Sequence, residues 1–174
     1  MGLSIKDFVH DGFCKIADVK TRDEVSSKSR PTWKLENTND LLLYSEHDSW
    51  IYCIVRDDTI VKIGETGNPL GIRNQDGSLG SGTKGRLGRL CTHGDADEWA
   101  TDTDSRIRYE LKKDANNKSI SIWAKQCPIA STTMVLGGEE KTVRLQTHKS
   151  LEIVFLDHIF ETTGAYPEMN KGRK

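Results

Sequence analysis

The chain has 174 residues, 25 Lys and Arg against 26 Asp and Glu, and a net charge of −1. That length holds one domain with a sizeable core and excludes two full ones. The balanced charge excludes a protein that coats nucleic acid through a global basic field, because the cations cluster locally, as Lys84, Arg86 and Arg89 and again as Lys171, Arg173 and Lys174.

Residues 4–10 read as a short helix, with Ser4 as N-cap and Ile5, Phe8 and Val9 as its apolar stripe before Gly12. From Thr21 to Asn39 the chain is polar and interrupted by Pro31, which predicts a loop or extended arm that Leu41-Leu42-Leu43-Tyr44 docks onto the core. Trp50–Val55 and Thr59–Gly64 read as two strands, with Asp57-Asp58 as a turn pair before it is a ligand pair. The glycines between positions 64 and 85 suit an adaptable loop, and Ser81-Gly82-Thr83-Lys84-Gly85 lacks the ending and spacing of a P-loop.

Thr83 caps a predicted helix over 84–93, on which Arg86, Arg89 and His93 share a face. A second amphipathic helix is expected over 104–113, and a third strand over 119–125, where Ile120, Ile122 and Ala124 alternate with Ser and Trp. Thr132–Leu136 and Thr142–Leu145 flank Gly137-Gly138 as a hairpin. A last helix over 148–163 carries Leu151, Phe155, Leu156, Ile159 and Phe160, and Gly164 stops it.

Cys14, Cys53, Cys91 and Cys127 are singly spread, without metal-ligand spacing, and read as reduced core residues. No apolar run approaches the ~18 residues of a membrane span and the N-terminus has no leader-like stretch, so the expected location is the cytoplasm, with no membrane partner.

A hairpin joined through Arg56-Asp57-Asp58 is expected to set Tyr52 and Lys62 side by side. Polar groups on adjacent strands, a nearby arginine and one later carboxylate are what metal-assisted attack on a phosphodiester needs. Glu152 stands on or beside the apolar stripe of the last helix, four residues before Leu156, which leaves it either a carboxylate for such chemistry or a glutamate reaching solvent from the stripe's edge. His10, His47, His148 and His158 have no metal-site spacing and read as structural or surface residues.

With Trp50-Ile51-Tyr52, Lys62-Ile63-Gly64, Arg89 followed four residues later by His93, then Glu152 and Asn170, positions 50–174 resemble the GIY-YIG nuclease superfamily in the order and spacing of its motifs. Gly is replaced in the first triplet and Tyr by Lys in the second, similar to a variant among the family's restriction endonucleases. The resemblance implies an N-terminal helix and arm over 1–49 and a nuclease domain over 50–174. Its fold is α+β, a small, mainly antiparallel three-stranded sheet flanked by helices, with loop and hairpin insertions.

It also implies a divalent-metal-dependent endonuclease that hydrolyses phosphodiester bonds of double-stranded DNA, most like a small type II restriction enzyme acting as a homodimer. Tyr52 is then the general base or a relay to it. A phenol ionises near pH ~10, so Lys62 depresses it, positions the water or neutralises the phosphate. Arg89, with Arg86 as its rival, meets the scissile phosphate; His93 assists; Glu152 ligates Mg2+ or Mn2+; Asn170 orients Glu152 or the backbone near it. Lys84, Arg86, Lys171 and Arg173 bind DNA. The alternatives are a phage or mobile-element nuclease of low specificity, or a non-catalytic DNA-binding module on the same fold.

Overall fold

A computed structural model describes residues 3–21, 33–37, 49–67, 70, 107, 109–110 and 119–170. The fold is α+β. After a short helix α1 (Lys6–Val9) come β1 (Cys14–Thr21), β2 (Trp33–Asn37), β3 (Trp50–Arg56), β4 (Thr59–Thr66), β5 (Ile120–Gln126), β6 (Ile129–Leu136) and β7 (Glu139–Gln146). Helix α2 (His148–Thr163) and a 3-10 turn (Glu168–Asn170) follow. Ser4 contributes to the start of α1, its hydroxyl accepting from the Lys6 N–H at 3.3 Å, although the helix begins one residue beyond Ile5.

The main sheet has the order β2-β1-β5-β3-β4 and every pairing in it is antiparallel. The three expected strands are its β3, β4 and β5. Five are present because β1 and β2, from the N-terminal residues, add to the β5 edge; the polar stretch expected as loop contains β2. β3 is buried from Trp50 to Val55 on both faces, which is why it reads as a continuous apolar run where β5 alternates. The β3–β4 turn holds Asp57 and Asp58 at φ 48° and 67°, the mirror-image turn that matches strand twist and that Asp tolerates.

The sheet carries a cluster on each face. One contains Trp50, Tyr52, Ile54, Ile16, Ile122 and Ala124; the other contains Ile51, Cys53 and Ile63 beneath Leu156 and Ile159 of α2 and Phe8 and Phe13 near α1. Phe155 packs its ring 5.5 Å from Phe8 and 5.3 Å from Phe13, locking the N-terminal segment under the helix. Each fully buried isoleucine contributes roughly 1.5–3 kcal/mol. Helix α2 ends where expected, at Gly164 with φ 75°, whose N–H bonds the Phe160 carbonyl at 2.8 Å.

β6 and β7 form a separate two-stranded ribbon around Gly137 and Gly138, both at positive φ, and it packs chiefly on itself. Among the described residues no helix is long and apolar enough to cross a membrane.

Candidate active site

Tyr52 does not sit opposite Lys62 as the hairpin reading expected. The two-residue turn pairs Arg56 with Thr59, and a register shift between Ile54 and Val55 then aligns Ile54 with Lys62 and Tyr52 with Gly64. Tyr52 and Lys62 therefore share one face as diagonal neighbours. Tyr52 is 1% exposed and Lys62 7%. A Cβ built on Gly64 would stand 2.4 Å from both Cζ and Oη of Tyr52, so only the missing side chain lets the phenol lie across β4. That gives the glycine of the second triplet a physical reason. Lys62 is a buried cation, rare because its desolvation must be offset; Tyr52, Lys62 and Glu152 all take part in polar or ring interactions.

Glu152 is half-buried on α2, four residues before the fully buried Leu156, at the edge of the apolar stripe. The helix packs on β4 and on the face that bears Ile51, Cys53 and Ile63. Its first turn is pinned to the end of β4 by His148, 2% exposed, whose Nε2 lies 3.2 Å from Glu65 Oε2 and whose Nδ1 lies 3.1 Å from Ser49 Oγ. Ser49 accepts from the Cys127 N–H through its carbonyl at 2.8 Å. Sequence spacing read His148 as structural or surface, and burial makes it structural. The Glu65–His148–Ser49 chain was missed because its members carry no shared motif.

Asn170 is joined to the backbone of the edge strand β4. Its Oδ1 accepts from the Ile63 N–H and its Nδ2 donates to the Ile63 carbonyl, both at 2.8 Å. β4 is an edge strand, so this amide satisfies both orphan backbone groups of the residue between Lys62 and Gly64. Arg56 and Glu168 form an ion pair that ties the same 3-10 turn to the end of β3. Met169 packs against the cluster that contains Tyr52.

Lys84, Arg86, Arg89, His93, Lys171 and Arg173 lie outside the described residues. Between the β3–β4 turn and the end of α2 is a cleft of about 370 Å³ lined by Arg56, Ile60, Val61, Ile159, Tyr166 and Glu168; Tyr52, Lys62 and Glu152 are not part of it. Cys53 and Cys127 are buried free thiols, as expected, whereas Cys14, the first residue of β1, is exposed. Burial pushes the thiols of Cys53 and Cys127 up.

No protein-family model matches the chain, and no curated protein does. Among solved structures, a mutant of bacteriophage T4 EndoII is similar with a TM-score of 0.54 at 18% identity, over 97% of this chain and 99% of that one. The restriction endonuclease HPY188I in complex with product DNA is similar with a TM-score of 0.45 at 14% identity, over 98% of this chain and 87% of that one. The chain shares its fold with the first of these along nearly its whole length.

Proposed function

We propose that this protein is a divalent-metal-dependent DNA endonuclease, of the kind that cuts double-stranded DNA at a short specific site, working in the GIY-YIG manner with Lys62 in place of a tyrosine. The observation that carries the reading is the face on which Tyr52 lies across Gly64 beside the buried Lys62. A core that only needed packing would have no use for a lysine there. The shared fold with an endonuclease supports it.

In this reading the Tyr52 hydroxyl takes or relays the proton of the attacking water, and Lys62 holds that water or the phosphate beside it. Arg89 adds a planar fork to the scissile phosphate, and His93 a polar group one turn on. Glu152 suits a hard divalent cation such as Mg2+ or Mn2+. Among the described residues no three His, Cys, Asp or Glu converge, and Mg2+ commonly takes one or two protein carboxylates and completes its shell with water and phosphate oxygens. Such an ion supplies charge for the phosphoryl oxygens when bound. Asn170 serves by fixing the Ile63 backbone between Lys62 and Gly64, a positioning role. Lys84, Arg86, Lys171 and Arg173 supply phosphate contacts.

A plasmid-nicking assay with and without Mg2+ tests the activity, and one long DNA of known sequence tests the specificity. Discrete bands are the expected result. Smearing would favour a nuclease of low specificity, and duplex binding without nicking in either metal would leave a binding module on this fold.

A further inference from the structure

The β6–β7 ribbon stands apart from the sheet, with every residue exposed except Ile129 and Val143. Met134, Val135, Leu136 and Leu145 are 44–66% exposed. A two-stranded ribbon is marginal alone in water, and among the described residues neither outer edge has a strand partner, so each presents a row of backbone groups able to template another strand. The two edges differ. β7 carries Glu139, Glu140, Lys141 and Arg144, the charges that keep an edge from pairing; β6 reads Ile-Ala-Ser-Thr-Thr-Met-Val-Leu, with no charge, proline or glycine. The ribbon's charges also cancel, which offers a phosphate backbone nothing and favours a protein partner.

Leu136 and Glu139 flank the two-residue turn and so exchange hydrogen bonds, as do Met134 with Lys141 and Thr132 with Val143 further along the alternation. Ile129, Ser131, Thr133 and Val135 therefore turn their N–H and C=O outward. Two copies of β6 can bond only where outward residues meet, which leaves two registers of longest overlap, centred on Thr132 or on Thr133. The first sets Ile129 against Val135, Ala130 against Met134 and Ser131 against Thr133, like facing like; the second sets Ser131 against Val135 and Thr132 against Met134. Cross-strand pairs of matched chemistry are the favourable ones.

We propose that β6 is a dimerisation strand, pairing antiparallel with β6 of a second copy in the register centred on Thr132. The result is a two-fold, four-stranded sheet whose outer edges are both the charged β7. No opposite strand is needed from elsewhere, because this one is complementary to itself.

The test is sedimentation velocity on the full chain across a concentration series, with circular dichroism to check folding. Wild type is expected to sediment as a dimer. Thr133→Pro removes an outward donor without touching the β6–β7 ladder and is expected to be monomeric. S131K/T133K sets lysine against lysine across the seam and weakens dimerisation on the order of tenfold or more, whereas S131E/T133K sets glutamate against lysine and restores it. A monomeric wild type, or equal dimerisation of the two double variants, overturns the proposal. So does a ribbon substitution that alters duplex binding while leaving the mass unchanged, which would give the ribbon to DNA. Mass is read without cleavage, so this inference and the endonuclease reading fail separately.

Discussion

Gly64→Ala is the sharpest test of the geometry around Tyr52. Carbon atoms in contact prefer about 3.5–4.0 Å, and the new methyl would begin 2.4 Å from Cζ and Oη of the phenol and 2.8 Å from Cε1. Tyr52 is 1% exposed and packed with Trp50, Ile54 and Ile122, so the ring has no solvent to swing into. Overpacking of this kind costs typically 1–3 kcal/mol, which for a chain of this size lowers the melting temperature by roughly 2–4 °C per kcal/mol. Tyr52→Ala alone leaves a cavity and costs about 3–5 kcal/mol, as a buried aromatic does. In the double variant the methyl enters space the ring has vacated, so its penalty should vanish. Urea unfolding followed by circular dichroism on the four proteins gives the coupling, expected near 1–3 kcal/mol. A Gly64→Ala penalty that is the same with and without the ring would refute the contact.

Lys62→Ala should leave the fold intact and abolish Mg2+-dependent nicking; near-wild-type turnover would move the site. Glu152→Gln should lose cleavage while a gel shift shows duplex binding kept or tightened, since one anion that repels phosphate has been removed. Asn170→Ala strands two backbone groups of Ile63 and should cost about 1–3 kcal/mol, with faster hydrogen exchange at the Ile63 amide than at Ile54 as the local readout. Burial holds the Cys53 thiol above its ordinary value of 9.0, so the unfolded chain ionises first. Stability is then full below about pH 9 and falls as pH rises past it, by up to about 1.4 kcal/mol per unit, and Cys53→Ala should flatten that part of the fall.

The parts of this fold that were legible are those whose partners are local. β3, β4, β5, the hairpin and α2 follow from apolar period, Asp-Asp and Gly-Gly turns and a glycine stop, all within one element or the next. β2 was read as loop because an edge strand needs only backbone from its neighbour, and its polar residues hide the pairing with β1. Arg56 was counted into the turn and the shift at Ile54 has no side-chain signature, so Lys62 was placed opposite Tyr52 when it lies two residues along, opposite Ile54. Asn170 was noticed for its place in a motif, but its target is a main-chain group, which sequence does not mark. His148 was read only as structural or surface, and its bonds went unseen because its partners, Ser49 and Glu65, belong to other strand ends.

The strand order also sets an assembly sequence. β1–β2 and β3–β4 are neighbours in the chain and close early, but they meet only through β5, which must slot between two hairpins already made. The Ile63 edge is then sealed by a residue 107 positions away. Contacts so distant in the chain are slow to form, so the β4 edge beside Tyr52 is assembled piecemeal and is whole only after synthesis has passed Asn170. The proposed endonuclease activity would accordingly begin only once this last turn has closed on the edge strand.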